Sequence, residues 1–267
     1  MQNDKLIQWP KATYWSRTFN PWIGCKKVSP ACDNCYARAI MRRFCPNTSS
    51  TQLLRAHALE NSFTPRQSAQ RRPPKSGVVF CGNMTDLWGD WVPLPEAYVV
   101  RTSQCKKGVY LYLTKRFDRM CKGMRNIPAD IYENYLSNHY FGFTAENQEW
   151  YEKRLKLREV SDFCWPDWAN LWVSCEPLLG PIDLGLMFDG EVVKPKYSWV
   201  VVGAESGPKR RECKIEWIES IVEQCKAAGV PVFVKQICLP SGRFTNKIDE
   251  FPEHLRIRQV PWAKETA

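Results

Sequence analysis

Short apolar runs alternate with longer stretches of mixed polarity along most of this chain, and that alternation sets the elements to expect. Six runs carry the signal: residues 77–82, 109–114, 139–144, 170–175, 197–203 and 230–235, with a seventh at 18–24. They are rich in Val, Leu and aromatic residues and nearly continuous, as strands covered on both faces are. Helical spacing predicts helices over 35–44, where Tyr36, Ile40 and Phe44 recur by fours, and over 49–61, 95–105, 148–158 and 215–228. Strand followed by helix, repeated, argues for βαβ units and an α/β fold with about six to seven parallel strands. In such sheets the C-terminal strand ends carry the active site. Asn83, Asp86, Thr114, Lys115, Glu146, Glu176, Glu205 and Lys235 all stand at those ends and are expected to share one site. Taken singly, each also reads as a helix cap or a loop charge.

Composition fits this picture. A chain of 267 residues, 44% hydrophobic, fits one barrel-sized domain as readily as two small ones; one is expected, placed at 18–240 between an N-terminal arm (1–17) and a C-terminal tail (241–267). The start lacks the apolar core of a signal peptide and no run approaches a membrane span, so a cytoplasmic protein without a membrane partner is expected. His57, His139 and His254 share no motif and receive no role.

Charge changes the picture locally. Of the net +10, residues 38–75 carry +7: eight Arg or Lys against Glu60 alone, interrupted by Pro46, Pro65, Pro73 and Pro74. This reads as a basic insertion suited to a polyanion, with Arg66, Arg71 and Arg72 as candidate nucleic-acid contacts, or as a solvated face.

Candidate chemistry sits in Trp22-Ile-Gly-Cys25-Lys-Lys-Val-Ser-Pro-Ala-Cys32-Asp-Asn-Cys35-Tyr36-Ala, three cysteines spaced C-x6-C-x2-C with no histidine beside them. Three thiolates leave one iron of a cubane open for an exchangeable ligand, so an iron–sulfur cluster is the leading reading. Structural zinc with Cys45 as a distant fourth ligand, and chance clustering of reduced cysteines, stand beside it. The other nine cysteines are scattered singly and are expected to be reduced.

Five stretches then resemble the signatures of a phage-encoded, radical-SAM-like protein family: Asn20-Pro-Trp-Ile-Gly-Cys25 with Ser29-Pro-Ala-Cys32-Asp-Asn-Cys35-Tyr-Ala, Leu113-Thr-Lys-Arg116, Ser174-Cys-Glu-Pro-Leu-Leu-Gly-Pro-Ile-Asp183, Val202-Gly-Ala-Glu-Ser-Gly-Pro208, and Lys235-Gln236. The resemblance covers roughly residues 15–240 in order. It implies a partial (β/α) barrel of the radical-SAM type, a [4Fe-4S] cluster on Cys25, Cys32 and Cys35, and S-adenosyl-L-methionine on the open iron. Radical-SAM enzymes in general carry C-x3-C-x2-C with an aromatic before the third cysteine; here the first spacing is longer, and the aromatic, Tyr36, follows Cys35. By position, Tyr36, Gly82, Asn83, Met84, Thr114, Ser174, Glu205 and Ser206 would receive the cofactor, and Glu146, Glu176, Lys115 and Lys235 would act in catalysis. The implied activity is modification of a nucleic-acid base, in particular an isomerase-type rearrangement of an amino-acid substituent on thymine in phage DNA. It needs an external electron donor and would take place in a host cell's cytoplasm. A zinc-stabilised nucleic-acid-binding protein without redox chemistry, and a radical-SAM enzyme for a small metabolite, are the alternatives.

Overall fold

Each expected apolar run forms a strand. The computed structural model describes residues 16–38, 40, 64–65, 72–159, 170–188, 191–192, 197–207 and 209–262. The elements in order are β1 (Ser16–Phe19), β2 (Trp22–Ile23), β3 (Thr64–Pro65), β4 (Ser76–Cys81), α1 (Glu96–Ser103), β5 (Lys107–Thr114), α2 (Phe117–Met124), α3 (Ala129–Tyr135), β6 (His139–Thr144), α4 (Gln148–Glu159), β7 (Asn170–Cys175), β8 (Met187–Phe188), β9 (Glu191–Val192), β10 (Trp199–Gly203), α5 (Ile215–Ala227), β11 (Val232–Cys238) and β12 (Phe244–Thr245). Residues 36–38 and 40 are also helical; the expected helix over 49–61 lies outside the described residues. The fold is mixed α/β, and the chain divides into two compact units, one ending at His139 and the other beginning at Tyr140.

In the first unit, β1, β4 and β5 run parallel, with Ser16 beside Val78 and Ser76 beside Lys107. The expected first strand is shorter than the run that suggested it: Pro21 has no amide to donate, β1 stops at Phe19, and Trp22–Ile23 pairs antiparallel with Thr64–Pro65 instead. Two helices not expected, α2 and α3, fill the connection after β5. Phe117, Met120, Cys121 and Met124 form the buried stripe of α2, at i, i+3, i+4 and i+7.

His139 is a packing residue in this unit. Its Nδ1 faces Asn138 Oδ1 at 2.7 Å, its Nε2 faces the Thr102 hydroxyl at 2.9 Å, and its ring stacks on Tyr110 with centroids 4.9 Å apart. Burial pushes its pKa down from 6.5 to about 3. Between those values the unfolded chain binds a proton that the folded chain does not. Stability contributed by this site is therefore complete above 6.5 and falls with pH through that window, by about 1.4 kcal/mol per unit. His139→Gln should flatten the slope in urea unfolding measured at stepped pH; an unchanged slope would mean that other groups carry it.

In the second unit, β6, β7, β10 and β11 run parallel in that order. All of β6 and β10 is buried, and Trp172 and Trp199 pack at a tilt with ring centroids 5.2 Å apart. Gly142 makes room for that pair, since a Cβ there would lie 2.5 Å from the Trp172 ring. The outer edge of β11 is covered in two pieces. Ile237 and Cys238 pair antiparallel with β12, while Val234 N–H donates to Ile257 O at 2.9 Å and Gln259 N–H to Val232 O at 3.1 Å. The segment after residue 240 is thus part of this unit's sheet.

Candidate functional site

The cysteine loop is built onto the C-terminal end of β4. Past Cys81 the chain turns at Gly82, whose φ of +82° disfavours any side chain and whose Cβ would meet Leu87 at 2.8 Å. Gly82 N–H donates to Phe19 O at 2.9 Å, Gly24 N–H to Met84 O at 3.3 Å, and the Thr85 hydroxyl to Gly24 O at 2.5 Å. Asn20 grips the same turn: its amide nitrogen donates to Asn83 Oδ1, and its Oδ1 accepts Met84 N–H at 3.1 Å. From the far side of the loop the Tyr36 hydroxyl donates to Asn83 O at 2.9 Å. Gly82, Asn83, Met84 and Tyr36 therefore join the turn after β4 to the cysteine loop.

Asp86 ties this assembly to β5. Its buried carboxylate accepts the Thr114 hydroxyl at 2.7 Å, the backbone N–H of Trp88 and of Lys115 at 3.1 Å each, and the Arg116 guanidinium at 3.1 Å. Arg116 continues to the loop itself, donating to Lys26 O at 3.2 Å and lying 4.7 Å from the Trp91 ring centroid. A carboxylate with four donors is a strut, and Thr114, whose hydroxyl also accepts Arg116 N–H at 2.8 Å, belongs to it.

Cys25, Cys32 and Cys35 are half-buried and in no disulfide. Burial pushes the Cys25 thiol up to about 12; Asp86 adds to the rise, Arg116 opposes it, and Cys35 and Cys32 raise it further. Among the described residues no three His, Cys, Asp or Glu are gathered as ligands of one ion. Cys45, the fourth-ligand candidate for zinc, lies outside the described residues.

The second unit gathers its own strand-end residues. Glu176, just past β7, is held by Lys235 of β11, whose Nζ donates to both carboxylate oxygens at 2.8 and 2.9 Å; the Gln236 amide donates to Glu176 Oε1 at 2.8 Å and to Ala204 O at 2.5 Å. Glu205, past β10, is clasped by Arg211, through its backbone N–H at 2.9 Å, its Nε at 2.9 Å and its Nη2. Glu146, past β6, is fully buried and bonds Arg154 of α4 at 2.6 Å. Ser174 is buried in β7 and Ser206 is half-buried beside Glu205. Two buried polar atoms at these strand ends, Thr144 Oγ1 and Gln236 Oε1, have no hydrogen-bond partner. An open cleft of about 730 Å³ lies between residues 210–216 and 238–242, with Arg211 in its lining.

Arg116, Arg154, Arg211 and Gln236 escape a reading of the sequence as site residues, although Arg116 and Gln236 stand inside quoted motifs. Arg154 and Arg211 follow their glutamates by eight and six residues, separations that carry no local signal. Of the candidate nucleic-acid residues, Arg72 is exposed at the start of β4, and Arg66 and Arg71 lie outside the described residues. No described helix is long and apolar enough to cross a membrane.

The family model described as "Protein of unknown function (DUF5131)" matches residues 7–249. Neither a curated protein nor a solved structure matches the chain.

Proposed function

The chain belongs to the DUF5131 family, and for this member we propose a radical S-adenosyl-L-methionine enzyme with a partial (β/α) barrel of the radical-SAM type. In this reading Cys25, Cys32 and Cys35 hold a [4Fe-4S] cluster and leave one iron for the cofactor. The observation that carries it is the thiol triad on a loop bolted to the C-terminal end of a parallel strand. Bound there, cluster and S-adenosyl-L-methionine supply radical hydrogen abstraction.

The chain's own residues do the rest. Each cysteine gives up its proton to become a ligand. Asp86 and Arg116 fix the first turn of the loop, so Cys25 is presented in one orientation. Lys235 and Gln236 hold the Glu176 carboxylate in one position. The substrate proposed is a base of DNA, with an isomerase-type rearrangement of an amino-acid substituent on thymine, an external electron donor and a cytoplasmic setting.

The test is anaerobic reconstitution of the full chain with iron and sulfide, then incubation with S-adenosyl-L-methionine, a strong reductant and phage DNA, with mass spectrometry of released nucleosides. A brown protein that cleaves the cofactor and changes a thymidine derivative is expected. A colourless protein carrying stoichiometric zinc overturns the reading; cofactor cleavage with untouched DNA overturns the substrate.

A further inference from the structure

At the opposite end of the first unit's sheet from the cysteine loop, Arg72, Lys75 and Arg101 line a small pocket of about 280 Å³ with Gln104 and Cys105. The strand register places Ser76 beside Lys107, so Lys75 and Lys106 stand side by side at the starts of β4 and β5. Residues 72–76 and 101–107 together hold five cations and no Asp or Glu. Arg72, Lys75, Lys106 and Lys107 are all exposed. Like charges on adjacent strands repel, and counter-anions relieve that repulsion. Beside them Lys106 Nζ lies 5.6 Å from the ring centroid of Tyr135, a tyrosine with 41% of its surface exposed. Clustered exposed cations are the surface that nucleic-acid backbones select.

We propose that this pocket binds the phosphate backbone of duplex DNA, anchoring it at a distance from the place where chemistry is done. The distance sets the class of ligand. β5 has eight residues, about 26 Å at ~3.3 Å each, and its far end, Thr114, bonds Asp86 under the cysteine loop. A mononucleotide cannot reach from pocket to loop, whereas a nucleic-acid strand covers that length in about eight nucleotides at ~3.4 Å each. The inference deepens the nucleic-acid part of the proposed function and rests on it. It adds residues from α1 and β5 that lie outside the basic segment 38–75.

The experiment is fluorescence anisotropy of the full chain with a labelled duplex longer than that span, between about 50 and about 200 mM salt. Lys75→Gln/Lys106→Gln/Lys107→Gln is expected to weaken binding for every duplex sequence and to lower the slope of log affinity against log salt by about 0.9 for each phosphate left without its lysine, up to about 2.7. Iron content and DNA-free cofactor cleavage should match wild type. Should the triple variant misfold, Lys75→Gln alone decides, with an expected fall in slope of about 0.9. A wild-type slope in the variant overturns the pocket and leaves the proposed function standing. Failure of the wild-type chain to bind duplex overturns the nucleic-acid reading and this inference together. Full displacement of duplex by inorganic phosphate or a mononucleotide at equal phosphate concentration would make the pocket a small-anion site and also overturns the proposal.

Discussion

Single replacement of Cys25, Cys32 or Cys35 by Ala is expected to take retained iron from about four atoms per chain to background and to abolish cofactor cleavage, because two protein thiolates hold a cubane poorly. Cys121→Ala, in the core of α2, should retain the iron. The experiment reads iron and sulfide content after anaerobic reconstitution and desalting, beside the melting temperature of each variant. Loading should also respond to pH in a fixed direction. Burial and Asp86 hold the Cys25 thiol protonated at neutral pH, at about 12, so iron must displace its proton and uptake strengthens as pH rises. Full iron content in Cys32→Ala would remove that residue from the ligand set.

The second large effect is on stability. Glu146 and Arg154 are respectively 0% and 2% exposed and bond at 2.6 Å, so removing one partner leaves the other charge in a dry site. Glu146→Leu or Arg154→Leu should each destabilise the fold by about 3–5 kcal/mol. The double replacement should recover most of that loss, since a hydrophobic pair of similar volume often substitutes for a buried ion pair at little cost. Urea unfolding of the four proteins gives the coupling directly. The cycle also separates two roles for Glu146. A stable double variant with unimpaired turnover makes the pair structural, and a stable one without activity returns Glu146 to catalysis. Additive single losses would show that the two side chains do not depend on each other.

The strands were legible because a strand buried on both faces writes its whole length in apolar residues: Trp199–Gly203 and Asn170–Cys175 stand out without any partner in view. α2 is not among the expected helices although Phe117, Met120, Cys121 and Met124 carry its spacing, because eight residues make too short a pattern to stand out beside the longer runs. The site was legible as a set of residue types and much less as a set of bonds. Glu176 and Lys235 are 59 residues apart, and their pairing depends on which strands lie near each other in the second unit. Asp86 looked available to a ligand in the sequence; in the fold, Thr114, Lys115, Arg116 and Trp88 have already claimed it. Chain order reveals where a carboxylate sits along a strand, and only packing reveals which donor arrives first.

The two short segments along β11 bear on how copies of this protein meet one another. A bare outer strand offers a ladder of unused amides and carbonyls to any passing chain. Here β12 takes the last part of β11 and residues 257–259 the first, and Trp199 Nε1 fastens the latter by donating to Gln259 O at 2.9 Å. What faces outward is then two fragments of two or three residues, broken by the turn around Gly242 and by Pro252, too short to template a strand from a neighbour. The terminal segment thus works against aggregation, capping the sheet where edge-to-edge association would otherwise begin.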